Sequence, residues 1–218
     1  MGNLVFQVNI LPNNIKTSGR KKFVYSNKLY TFSNHRAKKY ADKNNADYFC
    51  LKESWIKELA IPYQKLYVYE LLKKYDKIFY IDSDAIVTKI CPNIFEVDTF
   101  SAVRDNKNIN KQKRKNEIHS LNEDWNYFCS GVILFNKKFY ESTKDFWKEE
   151  LLNWKDIKNG QHDQSVLNVL AFKYYGDYNV LDANWGAWYR KGKYITHYNG
   201  PQTLEWTKEK FDNFESKL

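Results

Sequence analysis

The sequence predicts an α/β fold, a mostly parallel central sheet flanked by helices. Three observations lead there. Short apolar runs alternate with stretches of helical periodicity through the first half of the chain, which is the pattern of βαβ units. The chain has 218 residues, 43% of them hydrophobic, enough for one domain with a substantial core. No internal repeat and no Gly/Ser/Pro-rich linker divides it.

Each element follows from a local pattern. Leu4 to Ile10 (LVFQVNI) reads as a buried strand ending at the turn signal Leu11-Pro12-Asn13-Asn14. Asn34 to Asn44 reads as a short polar helix and Asp47 to Leu51 (DYFCL) as a second strand. Pro62 opens a helix through Tyr75, since a proline in the first turn gives up an N–H that has no helical partner there. Leu66, Tyr69 and Leu72, with Val68, Leu71 and Tyr75, form its apolar face. Lys77 to Ile81 (KIFYI) is a third strand that runs directly into Asp82-Ser83-Asp84. Thr99 to Val103 reads as a fourth strand and Val132 to Phe135 as a fifth. Phe139, Phe146, Trp147, Leu151 and Trp154 recur at helical spacing, predicting a helix over Lys138 to Trp154. His162 to Tyr174 is a further helix with a stripe at Val166, Leu167, Leu170 and Ala171, and Tyr194 to His197 is a short last strand. The polar, basic segment Asp105 to Asn122 reads as a mobile loop over the sheet edge.

The formal net charge of +9 suits an anionic partner, whether nucleic acid, phospholipid or a phosphorylated small molecule. A nucleic-acid binder would cluster its basic residues on one face among aromatics. Here they are scattered, with one dense run at Lys111-Gln112-Lys113-Arg114-Lys115, and no nucleic-acid motif is present. The cysteines Cys50, Cys91 and Cys129 are odd in number and match no zinc spacing. No leader-like apolar stretch is present, and no apolar run approaches the ~18 residues that span a bilayer. A reducing, cytoplasmic setting is expected, or the host cytoplasm for a viral source, with any anchor lying in a part of a longer protein outside this sequence.

In open α/β sheets ligands bind at the carboxyl ends of the strands. Asp82 and Asp84 fall at such an end, and the small Ser83 between them lets both carboxylates turn toward one point. Two hard oxygen ligands suit Mg²⁺ or Mn²⁺, and a metal there can hold a pyrophosphate and neutralise its charge as it leaves. Phosphotransferases of the haloacid-dehalogenase type also place Asp-x-Asp after an apolar strand. They do so after the first strand and with later Ser/Thr, Lys and acidic motifs that have no convincing counterpart here.

Four ordered segments extend the pattern: KIFYIDSDAIV (Lys77 to Val87), YFCSGVILFN (Tyr127 to Asn136), NGQHDQSVLN (Asn159 to Asn168) and ITHYNG (Ile195 to Gly200). In order and spacing they resemble the GT-A glycosyltransferases, especially the retaining glycogenin and bacterial galactosyltransferase group, and they cover most of the chain. Small viral and bacterial glycan-building enzymes share this compact form. The resemblance implies a single Rossmann-like GT-A domain over residues 1–218, with a nucleotide-binding part at about 1–104 and an acceptor-side part at about 123–218. It implies transfer of a sugar from a nucleotide-sugar, a UDP-sugar by analogy, to an acceptor glycan or glycoprotein with retention of configuration, aided by Mn²⁺ or Mg²⁺.

The resemblance also assigns roles. Asp82 and Asp84 match the family's metal pair and His197 its third ligand, leaving positions open for phosphate oxygens. An isolated histidine is more often a surface or core residue. Asp163 and Gln164 match the pair near the reacting sugar carbon, where a carboxylate or amide can steady an oxocarbenium-like transition state or serve as nucleophile. An acidic residue also simply favours a helix N-terminus. Ser83, Ser130, Gly131, Arg104, Asp105 and Gly200 match donor-side segments, and Asn9 and Ile10 should border the base. Lys65 matches a lysine facing the donor, against the plainer reading of an exposed helix lysine.

One departure stands out. Where the family carries Lys-Pro-Trp, this chain has Thr203-Leu204-Glu205-Trp206, so either Lys193, Lys208 or a lysine of the 105–122 segment substitutes for the missing cation, or leaving-group stabilisation rests mostly on the metal. The aromatic stretch Asn184-Trp185-Gly186-Ala187-Trp188-Tyr189 is the candidate acceptor platform, with core packing the competing role for at least one of its tryptophans. An inverting GT-A enzyme, a metal-free sugar-binding module and a nucleic-acid binder are the competing functions.

Overall fold

The computed structural model describes residues 2–10, 27–105, 109–154, 163–186 and 192–198. The chain opens with β1 (Gly2–Val8), α1 (Asn27–Lys43) and β2 (Asp47–Leu51). A 3-10 segment (Ile61–Tyr67) then leads into the single turn α2 (Val68–Leu71). β3 (Tyr75–Ile81), β4 (Ala85–Val87) and β5 (Ser101–Arg104) follow. Next come α3 (Ile109–Ile118), β6 (Phe128–Asn136), α4 (Lys137–Thr143), α5 (Trp147–Trp154) and α6 (Asp163–Leu170). β7 (Asn179–Leu181) and β8 (Ile195–His197) are the last strands described.

Six strands form the central sheet in the order β2-β1-β3-β6-β5-β7. β1 is parallel to β2 and β3, and β5 is parallel to β7. β6 runs antiparallel between β3 and β5, so the sheet is mostly parallel with one reversed strand. Side chains alternate faces along each strand. Leu4, Phe6, Ile78, Tyr80, Ile133 and Phe135 therefore join one core, with α6 residues such as Val166 and Leu170. Val5, Phe79, Ile81, Val132 and Leu134 join the other, against Ala37, Tyr40 and Ala41 of α1. Helices thus cover both faces, as the buried parallel strands require. A second, two-stranded sheet pairs β4 with β8.

Several elements differ from their sequence-based expectation. The helix expected from Pro62 to Tyr75 is a 3-10 segment plus one α-turn, and Tyr75 already belongs to β3. Gln64 accounts for part of this. Its side chain accepts from the N–H groups of Trp55 and Ile56 and donates to the carbonyls of Ile56 and Leu59, tying the segment to the preceding loop. The helix expected over Lys138 to Trp154 breaks into α4 and α5. Thr143 at the break donates back to the carbonyl of Phe139 and accepts from Tyr69, a back-bond that loosens the helical ladder. α6 ends in a π turn (Ala171–Tyr175) closed by Gly176 at φ +95°, a backbone conformation that glycine adopts without strain. α1 begins at Asn27 rather than Asn34, and β4 and β7, three residues each, are too short for a periodic signal.

The largest correction concerns the segment expected to be a mobile loop. Most of it is α3, and its inward face is polar: Gln112 and Asn116 are buried, as is His119 in the turn that follows. Gln112 Nε2 donates to the carbonyl of Tyr127, and Asn116 Nδ2 donates to the carbonyls of Glu123 and Trp125. Hydrogen bonds dock this helix where an apolar stripe ordinarily would, which is why hydrophobic periodicity does not reveal it. No helix among the described residues is long and apolar enough to cross a membrane.

Candidate active site

The site forms where β3 ends. The N–H of Asp82 donates to the carbonyl of Gly131 at 2.8 Å, so the pairing of β3 with β6 continues to the acidic triplet. The Ser83 hydroxyl donates to the carbonyl of Val8 at 2.6 Å, anchoring the triplet to the end of β1. The N–H of Ala85 closes a turn on the carbonyl of Asp82 at 3.0 Å and launches β4. β4 pairs antiparallel with β8, which sets His197 opposite Ala85. The N–H of Tyr198 donates to the carbonyl of Asp84 at 2.8 Å, tying the two segments together. A histidine far along the chain is thereby brought to the triplet by a three-residue ribbon.

The resulting geometry is compact. His197 Nε2 lies 3.0 Å from Asp84 Oδ1 and 3.5 Å from Asp82 Oδ2. One ligand atom from each of Asp82, Asp84 and His197 falls within 4.8 Å of the others. Gly131 makes the approach possible. A Cβ there would sit 2.4 Å from His197 Cε1 and 2.6 Å from Asp82 Oδ2, distances that no side chain tolerates. Two carboxylates and one imidazole converging beside an atom-free Gly131 face form a donor set that fits a divalent cation of the Mn²⁺ or Mg²⁺ kind.

Lys65 lies beside this cluster and is buried, not an exposed helix lysine. Its ammonium is 2.8 Å from Asp163 Oδ2, 3.2 Å from Asp82 Oδ1 and 3.1 Å from both the carbonyl and the hydroxyl oxygen of Ser130. It also stands 4.8 Å from the centre of the Tyr80 ring. Gln164 Oε1 accepts from the N–H of Ser130 at 3.2 Å. Asp82, Lys65, Ser130, Asp163 and Gln164 are thus brought together at one place, where α6 begins against the carboxyl end of β3.

Burial and charge compete throughout this cluster. Burial alone would raise the carboxyl of Asp82, but Lys65, His197 and the Tyr80 hydroxyl outweigh it and hold the group well below the usual carboxylate range. Burial would lower Lys65, yet Asp163 and Asp82 keep it firmly charged. Burial would likewise lower His197, but the charge of Asp84 and hydrogen bonds to both aspartates carry it well above its ordinary value. For Asp163 burial prevails, and its carboxyl is raised despite Lys65.

Other expected donor-side residues are elsewhere or already engaged. Arg104 donates through Nε and Nη2 to Gln112 Oε1, at 3.0 and 2.7 Å, and Asp105 is ion-paired with Lys115, so α3 holds both. Asn9 and Ile10 are half-buried just past β1, and the N–H of Asn9 donates to the carbonyl of Leu51. Of the candidates for the missing cation, Lys193 precedes β8 at the end away from His197; four residues of extended chain put it on the order of 13 Å along the ribbon. Lys208, Gly200, Trp188 and Tyr189 lie outside the described residues. Trp185 is a core residue, edge-on to Phe79 and Tyr194, and not an open platform.

Three contributors escaped the sequence reading. Tyr80 donates to Asp82 Oδ1 at 2.6 Å, and its position two residues before Asp82 on one strand face is the signal that points to it. Gln7 donates to Ser33 and to the carbonyl of Asp82 and accepts from Tyr48, bracing the turn from beneath. Asn168 accepts from the N–H of Phe128 and donates to its carbonyl, fixing α6 to β6 as a neighbouring strand would.

Comparison with known proteins bears on the family and the fold. The profile of glycosyl transferase family 8 matches residues 3–209. No curated protein matches the sequence. Among solved structures, the chain is similar to the galactosyltransferase LgtC in complex with donor and acceptor sugar analogs. That similarity has a TM-score of 0.60 and 15% identity over 99% of this chain and 96% of that one. It is also similar to a glycosyltransferase involved in glycosylation of the major capsid of PBCV-1, with a TM-score of 0.57 and 11% identity over 99% of this chain and 100% of that one. GlyE of Streptococcus pneumoniae TIGR4 has a TM-score of 0.56 and 16% identity, over 98% of this chain and 59% of GlyE.

Proposed function

The chain belongs to glycosyltransferase family 8 and is a glycosyltransferase of GT-A fold; on that premise we propose that it moves a hexose from a nucleotide-sugar, of the UDP class, onto an acceptor glycan or glycoprotein with retention of anomeric configuration. The observation that carries the proposal is the convergence of Asp82, Asp84 and His197 at the carboxyl end of β3. A divalent cation held by these three would neutralise charge on the diphosphate.

The remaining steps belong to the protein's own groups. Asn9 and Ile10 border the base, with residues of about 1–104 forming the nucleotide side and about 123–218 the acceptor side of one domain. Ser130 and Gly131 approach the sugar, and Arg104 and Asp105, held by Gln112 and Lys115 of α3, border it. Lys65 keeps Asp163 oriented. Asp163 and Gln164 face the anomeric carbon and steady its developing positive charge. The acceptor oxygen forms its bond to that carbon on the face from which the diphosphate departs. The old carbon–oxygen bond breaks with its electron pair on the diphosphate, which receives the acceptor's proton.

The test is release of nucleoside diphosphate from a panel of nucleotide-sugars, with Mn²⁺ and with chelator, alongside Asp84→Ala. Chelator-sensitive release from one donor, lost in the variant, supports the proposal and names the donor. No release and no metal-dependent donor binding by folded protein rejects it. An inverted product anomer, read by NMR, rejects retention alone.

A further inference from the structure

Two donors converge on a single oxygen of Asp82. The Tyr80 hydroxyl donates to Oδ1 at 2.6 Å, and the Lys65 ammonium lies 3.2 Å from the same atom. The other oxygen, Oδ2, faces His197 Nε2 at 3.5 Å and stands against Gly131. One oxygen of the carboxylate is therefore occupied by internal donors, and the other is turned toward the metal-type cluster.

Tyr80 is itself firmly held. It is buried in the core beneath the site, its ring meets Phe6 edge-on at 5.5 Å, and Lys65 lies over its face at 4.8 Å. Tyr80 and Asp82 are two residues apart at the end of one strand, so the pleat turns both to the same side. The hydroxyl thus reaches Oδ1 without any rearrangement of the backbone.

We propose that Tyr80 is a positioning residue that fixes Asp82 as a one-oxygen ligand and so biases the site toward a small octahedral cation over Ca²⁺. A carboxylate free to rotate can offer both oxygens at once. That narrow two-oxygen bite suits the long, flexible coordination of Ca²⁺ and distorts the near-ideal octahedron that Mg²⁺ demands and that Mn²⁺ shares. With Oδ1 held by Tyr80, only Oδ2 is presented. In Tyr80→Phe the Lys65 contact alone remains, and it is shared with Asp163 and Ser130, so the carboxylate regains its rotation. The role rests on Asp82, Asp84 and His197 being the metal set.

The experiment measures Mn²⁺ binding by electron paramagnetic resonance, and its displacement by Ca²⁺, for the native protein, Tyr80→Phe and Tyr69→Phe. Tyr69 is a control: its equally buried hydroxyl bonds Thr143 at 2.9 Å, on another part of the core. The expected result is folded Tyr80→Phe with Mn²⁺ affinity reduced about 10-fold, the lower end for loss of an outer-shell partner. Ca²⁺ should displace Mn²⁺ from it at a lower ratio than from the native protein, while Tyr69→Phe matches the native protein. Unchanged affinity and unchanged Mn²⁺/Ca²⁺ discrimination in Tyr80→Phe overturn the role, as does an equal loss in Tyr69→Phe. Absence of Mn²⁺ binding by the native protein removes the metal set itself, and with it this role.

Discussion

Lys65 and Asp163 form an ion pair of 2.8 Å in which each side chain is only 6% exposed. The pair joins the 3-10 segment before β3 to the first residue of α6, and the same ammonium reaches Asp82. A buried pair of this kind is weak evidence of net stability, because desolvation offsets much of the attraction. Breaking it from one side is another matter. Lys65→Met leaves two aspartates without their shared cation, and the expected loss is about 3–5 kcal/mol by urea unfolding. Adding Asp163→Asn to Lys65→Met should recover part of that loss. Additive losses in the double-mutant cycle would show that the two charges are not coupled.

Gly131 offers a sharper geometric test. Its missing Cβ is what lets His197 and Asp82 approach each other. Gly131→Ala must push one of them aside, and a displacement of about 1 Å at a reacting site can cost roughly 10²-fold in rate. Transferase activity should fall by about that factor while circular dichroism remains native. Activity within a few-fold of the native protein would mean that the cluster is not where the chemistry occurs.

The acidic triplet and β2 were legible because each sits in a strong local pattern: an apolar run into Asp82-Ser83-Asp84, and a compact strand whose bounds match. The convergence of His197 with the triplet came from resemblance, since only the β4–β8 ribbon creates it and β4 is three residues long. α3 leaves no helical signal in the sequence because its buried side chains are Gln112 and Asn116, with His119 just past its end, which no hydrophobic template detects. Lys65 could be named but not placed. Burial of a lysine depends on partners such as Asp163 and Ser130 that lie far along the chain.

That polar face gives α3 a pH dependence. His119 Nδ1 lies 2.7 Å from the carbonyl of Lys115, which can only accept, so Nε2 is left to accept from the Ser165 hydroxyl at 2.8 Å. Tyr127 donates to Ser165 from the other side, and Trp154 covers the ring. Burial lowers the pKa of His119, with the Lys115 carbonyl opposing and the Lys115 charge adding to the shift. At His119 the unfolded chain therefore binds more protons than the native one between the lowered value and about 6.5, so this residue's contribution to stability rises with pH across that window, while His197, whose value is raised, contributes the opposite slope. Protonation would also evict the Ser165 donor. Unfolding free energy measured between pH 5 and 7.5 should change with a less positive slope in His119→Asn than in the native protein. An identical slope would remove His119 from the account.

The acidic cluster makes a complementary prediction about metal. Asp82 and Asp84 sit close together, and His197 is the cationic partner drawn between them. An ion that binds this folded arrangement and not the unfolded chain must stabilise it, by about 2.7 kcal/mol at a concentration 100 times its Kd. For a chain of this length that corresponds to a rise in Tm of roughly 5–10 °C. Mn²⁺ should produce such a rise, and chelator should reverse it. Asp84→Asn removes one of the two charges while keeping the side-chain volume, so it should lose most of the rise without unfolding. A Tm that responds to Mn²⁺ equally in Asp84→Asn would place the ion elsewhere on the protein. A native Tm indifferent to Mn²⁺ would leave the three convergent side chains as a hydrogen-bonded cluster held together by protonated His197.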